Sequence, residues 1–136
     1  MNINVYDAMI KFVTEVTKAA DVDSMVTIDI MTCVRTYEEQ YPQPTSQELL
    51  YLMIAVERDI RKHTKAFVSF EMFPNLFTAM VIRNLGQKAE ERISIICTME
   101  GEMQVEHFKT KSKDLDKNKG EQNVKYGKRT GKVYIG

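Results

Sequence analysis

Asp114-Leu115-Asp116-Lys117-Asn118 sets carboxylates and an amide at alternating positions, as a calcium-binding loop opens. Such a loop needs glycine at its sixth position and a bidentate glutamate at its twelfth. Counted from Asp114, those positions hold Lys119 and Lys125. The glycine comes one place late, at Gly120, and a cation stands where the closing carboxylate belongs. These residues therefore read as a polar turn. Gly127-Lys128-Arg129-Thr130-Gly131 combines glycine with cations but lacks the spacing of a phosphate loop, and a strand pattern rather than a helix follows it. A hairpin turn bearing two cations is expected there, and such a turn can touch a phosphate backbone.

Thiols and imidazoles are scarce. Cys33, His63, Cys97 and His107 are the whole supply, with no close pair among them, whereas a structural zinc site needs four ligands at short paired spacings. Both cysteines are expected to pack as small hydrophobes in a reducing compartment. Glu38-Glu39 and Glu90-Glu91 are adjacent acids on helical patterns, and adjacent residues do not face each other across a cleft as catalytic carboxylates do. No nucleophile, base and orienting group can be assembled from these spacings. The expectation is a protein that is not an enzyme and uses no cofactor or metal.

The charge is informative because it is uneven. The chain has 136 residues, 19 basic and 19 acidic, and a formal net charge of zero. Residues 1–106 carry ten basic and sixteen acidic side chains, while residues 107–136 carry nine basic and three acidic ones. Zero is thus the sum of −6 and +6. Charge asymmetry of this kind points to a polyanion partner or to a basic tail that answers an acidic surface. Glycine divides similarly, with none before Gly86. Glycine is costly inside helices and useful in turns, so the first 85 residues are expected to be helix-rich.

Hydrophobic periodicity places the elements. Val5, Met9, Phe12, Val13, Val16 and Ala20 form one face of a helix over 5–20, with Asn4 as its N-cap. Met25, Ile28, Met31, Val34, Tyr37 and Tyr41 form the stripe of a second helix over 25–40, ended by Pro42 and Pro44. Thr45-Ser46-Gln47-Glu48 is a capping box that opens a third helix to about His63. Residues 66–73 fit either a short strand or a helical turn. Pro74-Asn75 is expected to open a fourth helix through Leu76, Phe77, Met80, Val81 and Leu85, with Gly86 just past its end. Beyond Glu91 the period falls to two, which predicts a β-hairpin of 92–99 and 103–107. Residues 109–123 are expected to form a long loop, and 124–126 with 132–135 a last small hairpin. The fold class expected is α+β: a four-helix body followed by a small antiparallel hairpin region. The domain is divided into 1–108 and a basic glycine- and lysine-rich segment, 109–136.

The stretch Ile28–Met53, IDIMTCVRTYEEQYPQPTSQELLYLM, resembles the opening of winged helix-turn-helix repressors of the LexA type, in which a proline-threonine pair starts the second helix. The resemblance implies that the fourth helix, with Arg83, Asn84 and Gln87 as polar readers, is a recognition helix and that the hairpin 92–108 is a wing.

Composition fits one globular domain, with 43% hydrophobic and 28% charged residues. No apolar run approaches the roughly 18 residues of a membrane span, and the N-terminus lacks the pattern of a signal peptide, so a cytoplasmic protein with no membrane partner is expected. The leading functional expectation is a small protein-binding inhibitor or adaptor, of the kind that accessory genes of phages and mobile elements often encode, acting on a nucleic-acid-handling protein through its acidic body. The alternative is a nucleic-acid-binding regulator. Its contacts would be Lys109, Lys111, Lys113, Lys125, Tyr126, Lys128, Arg129, Lys132 and Tyr134, cations that neutralise phosphates beside aromatics that stack on bases. A homo-oligomer, formed through helical faces or by strand pairing at 132–135, is the third expectation.

Overall fold

The computed structural model describes residues 4–111. Within them three helices, α1 (Val5–Ala19), α2 (Ser24–Gln40) and α3 (Ser46–Arg61), precede four strands, β1 (Phe67–Phe73), β2 (Leu76–Arg83), β3 (Ala89–Thr98) and β4 (Met103–Lys111). Each helix begins where a side chain takes over a free backbone N–H. The Asn4 side-chain amide oxygen accepts from the Asp7 N–H at 2.8 Å, and the Asp23 carboxylate accepts from the Met25 N–H at 2.8 Å. Thr45 and Glu48 satisfy one another's backbone N–H at 3.1 and 2.9 Å, a complete capping box. Asp21, with φ 61°, takes the left-handed conformation that ends α1 and frees the chain to start α2.

The strands form one antiparallel sheet in the order β1-β2-β3-β4. This corrects the expected four-helix body: there is no fourth helix at 75–85. Pro74-Asn75 is instead the two-residue turn of a β-hairpin, because Phe73 pairs with Leu76 across it. The helical reading failed for a physical reason. β2 is an inner strand with apolar side chains on both faces, so its sequence shows no alternation, and Leu76, Phe77, Met80 and Val81 fit a helical stripe equally well. Sheet partners decide the matter. β1 supplies seven paired residues on one side and β3 eight on the other. The ambiguous stretch 66–73 is accordingly a strand. The winged helix-turn-helix arrangement falls with the fourth helix, since the residues assigned to recognition lie on β2 and in the turn after it.

The hairpin read from the period-two pattern is present but is only half of the sheet. β4 runs on to Lys111, opposite Ala89, so residues 109–111, expected to open a loop, are strand. Residues 112–136, and with them the final hairpin, the calcium-like stretch and the Gly127–Gly131 turn, lie outside the described residues.

The helices cover one face of the sheet. α1 packs on β2 and β3, α3 packs on β1, and α2 rests mainly on α1. α1 is therefore buried on two sides, with Tyr6, Ala8, Met9, Phe12, Val13 and Val16 at 0–1% exposure. Phe12 stands between Phe70 and Phe77, ring centroids 5.0 and 5.6 Å away. α2 turns a slightly different face inward than its stripe suggested: Ile30 and Val34 are buried, whereas Met25 and Ile28 are exposed. The cysteines also separate. Cys97 is buried on β3 with its thiol 3.5 Å from the Ala8 carbonyl, but Cys33 is exposed on α2, which corrects the expectation of two core thiols. Among the described residues no helix is long and apolar enough to cross a membrane.

Candidate functional site

Strand register sorts the sheet residues onto two faces. The helix side carries Val68, Phe77, Ala79, Val81, Ile93, Ile95 and Cys97, all buried. The other side has no helix over it among the described residues. Its cross-strand rows can be read directly. Phe67, Ile82, Arg92 and Phe108 lie in one row; Ser69, Met80, Ser94 and Glu106 form the next. Glu71, Thr78, Ile96 and Gln104 form the third, and Phe73, Leu76 and Thr98 close the face. Phe67 and Phe73 are 43% and 42% exposed, so this open face has aromatic groups at two corners of a mixed centre, where Met80 and Ile96 stand beside Ser94 and Thr78. Its charges are mainly negative. Arg92 is held by Glu90 at 3.0 Å, while Glu71 and Glu106 have no ion pair among the described residues. A face of this composition suits a partner that offers apolar groups to the phenylalanines and cations to the carboxylates.

A second surface lies at one end of the sheet. α1 and α3 finish there, the β2–β3 turn lies there, and β4 ends there with Glu91 opposite Lys109. Together they enclose an open groove of about 1300 Å³, bordered by Asp21, by 62–66 and by the turn Arg83–Ala89. Its floor is built from helix-end chemistry. The Thr64 hydroxyl donates to the Ala20 carbonyl at 2.5 Å, and the Arg83 guanidinium donates to the Ala19 carbonyl at 3.3 Å, so both last carbonyls of α1 are satisfied. Arg83 also holds Glu91 at 2.8 Å, where the Glu91 side chain is only 14% exposed. The turn is shaped by Asn84 at φ 57° and Gly86 at φ 78°, and the Gly86 N–H donates to Glu90 at 3.2 Å. That contact, together with the Arg92 guanidinium, holds the Glu90 carboxyl below its ordinary value against the opposing effect of burial.

The expected basic contacts divide between these regions and the chain beyond them. Lys109 is exposed near the end of β4, and Lys111 is its last residue. Lys113, Lys125, Tyr126, Lys128, Arg129, Lys132 and Tyr134 lie outside the described residues. Reasoning from sequence missed that Lys62, Lys65 and Lys88 border one groove at the end of the sheet where Lys109 stands. Lys62 and Lys65 were legible as cations near a helix C-terminus, where the dipole favours them. Lys88 gave no signal.

The opposite end is anionic. Asp7, Glu38 and Glu48 belong to the helix ends there, and Glu100 and Glu102 to the β3–β4 turn. Arg35 joins Asp7 at 2.8 Å and Glu38 at 2.7 Å, and those contacts raise its pKa further. The Tyr37 hydroxyl donates to the Glu48 carbonyl at 2.9 Å, tying α2 to α3. Charge is therefore separated along the strands as well as along the sequence. No protein-family model, curated protein or solved structure matches this chain.

Proposed function

We propose that this chain is a small protein-binding inhibitor or adaptor that works without catalysis. The observation that supports this reading is the open sheet face, which carries the exposed rings of Phe67 and Phe73 and the carboxylates of Glu71 and Glu106, unpaired among the described residues. Apolar burial supplies affinity, and the carboxylates select a partner whose surface presents cations around an apolar patch. The basic grooves of nucleic-acid-handling proteins have that chemistry.

The test is capture from nuclease-treated lysate by the full chain and by the Phe67→Ser/Phe73→Ser variant. Both phenylalanines are more than two-fifths exposed, so the variant is expected to keep its fold. The expected result is one stoichiometric protein retained by the wild type, released by moderate salt, and lost by the variant. Equal capture by both proteins refutes the assignment of this face. Light scattering supplies the other arm: a dimer that the same substitutions dissociate would mean that a second copy covers the face, and would overturn the inhibitor reading.

A further inference from the structure

We infer that the groove between the α3–β1 connection and the β2–β3 turn binds the phosphodiester backbone of a nucleic acid. Four cationic side chains border it: Lys62 and Lys65 from one wall, Arg83 from the floor and Lys88 from the other wall. Arg83 is already engaged by Glu91 and the Ala19 carbonyl. Lys62, Lys65 and Lys88 are exposed and have no ion pair among the described residues. Several features oppose an anion here: the Asp21 carboxylate, the carboxylates of Glu91 and Glu90, which Arg83 and Arg92 pair, and the C-terminal ends of α1 and α3, whose dipoles are negative. Three free ammonium groups outweigh them, because each helix end amounts to roughly half a charge.

Compensating the helix ends would require fewer cations than the groove holds, and it would not require Lys88, which comes from a β-turn. The turn also supplies ligands suited to a nucleic acid. Asn84 and Gln87 bring amides to the groove, and Leu85 is 53% exposed beside them, an apolar surface for a base or sugar. β4 delivers Lys109 to the same end, and the sequence that follows Lys111 holds seven basic and three acidic residues. Cationic residues thus continue in the sequence beyond β4, which suits an extended polyanion better than a small phosphate compound. This inference is independent of the open sheet face, which lies on a different surface.

The test is fluorescence anisotropy of the full chain with labelled single-stranded DNA, single-stranded RNA and duplex DNA of equal length, across a salt series. Releasing counterions from three phosphates of a single strand gives a log–log salt slope of about −2, equivalent to roughly a 20-fold loss of affinity between 50 and 200 mM salt. The triple variant Lys62→Gln/Lys65→Gln/Lys88→Gln is expected to show a slope shallower by about that amount, while Lys11→Gln, on α1 away from the groove, leaves the slope close to wild type. Circular dichroism of each variant confirms that the fold is kept. Whichever nucleic acid shows the largest loss in the triple variant is the preferred source of the backbone. An unchanged affinity and slope in the triple variant would overturn the inference, as would absence of binding by the wild type at 50 mM salt.

Discussion

Replacing Tyr6 with phenylalanine should destabilise the protein at neutral pH and cease to do so in alkali. Tyr6 is 1% exposed at the start of α1, and its hydroxyl donates to the Tyr41 carbonyl at 2.6 Å, joining α1 to the end of α2. Burial, with further contributions from Tyr37, Glu38 and Glu48, pushes the phenol from 10.0 up to about 12. In the unfolded chain the same phenol ionises near its ordinary value of about 10. Between those values the folded protein keeps a proton that the unfolded chain has lost. The stability tied to that proton is complete below about pH 10 and disappears as the pH rises through about 12. A separation of two in pKa is worth about 2.7 kcal/mol in all, and about 1.4 kcal/mol of it is lost by pH 11. Phenylalanine has no proton to lose but also lacks the hydrogen bond, worth about 1 kcal/mol. Urea denaturation at pH 8 should therefore find Tyr6→Phe less stable by about 1 kcal/mol. At pH 11 the two proteins should be nearly equal, or their order reversed. Every other titrating group is common to both, so the comparison isolates this one. The same stability difference at pH 8 and pH 11 would refute the reasoning.

Phe12→Ala removes the ring between Phe70 and Phe77 and should cost about 3–5 kcal/mol, read as a lower urea midpoint. Thiol titration of the native protein should modify Cys33 alone, because Cys97 is fully buried and burial also raises its pKa; both should react in denaturant. Gly86→Ala should cost about 1 kcal/mol by thermal melting, since φ is +78° and an added Cβ meets nothing within 4 Å, leaving backbone strain as the whole penalty.

Helix starts were legible because capping is local. Asn4 and Thr45 each act on a backbone N–H three residues away, and a run of sequence contains the whole interaction. The β3–β4 hairpin was legible because most of its outer residues, Arg92, Ser94, Thr98, Gln104 and Glu106, are polar and preserve the alternation. β2 was not, since an inner strand with apolar groups on both faces erases the signal that distinguishes strand from helix. The misreading then propagated: a helix at 75–85 produced a recognition helix, and with it a winged arrangement that does not exist in this fold. Cys33 was misjudged for a related reason. α2 packs against neighbours on one side only, and the angle of that side is set by α1 rather than by the stripe on α2.

By itself the sequence determined three helices with their caps, a C-terminal antiparallel hairpin, and the division of zero net charge into an acidic −6 and a basic +6. These depend on neighbours in the chain or on counting. Tertiary structure alone decided that 67–83 is a hairpin, that the sheet leaves a face with the rings of Phe67 and Phe73 open, and that Lys62, Lys65 and Lys88 border one groove at the end of the sheet where Lys109 stands. Sheet pairing brings together residues far apart in sequence, and the energy of each pairing belongs to both strands, so no single segment carries it. The boundary of charge that matters is consequently an end of the molecule rather than a position along the chain.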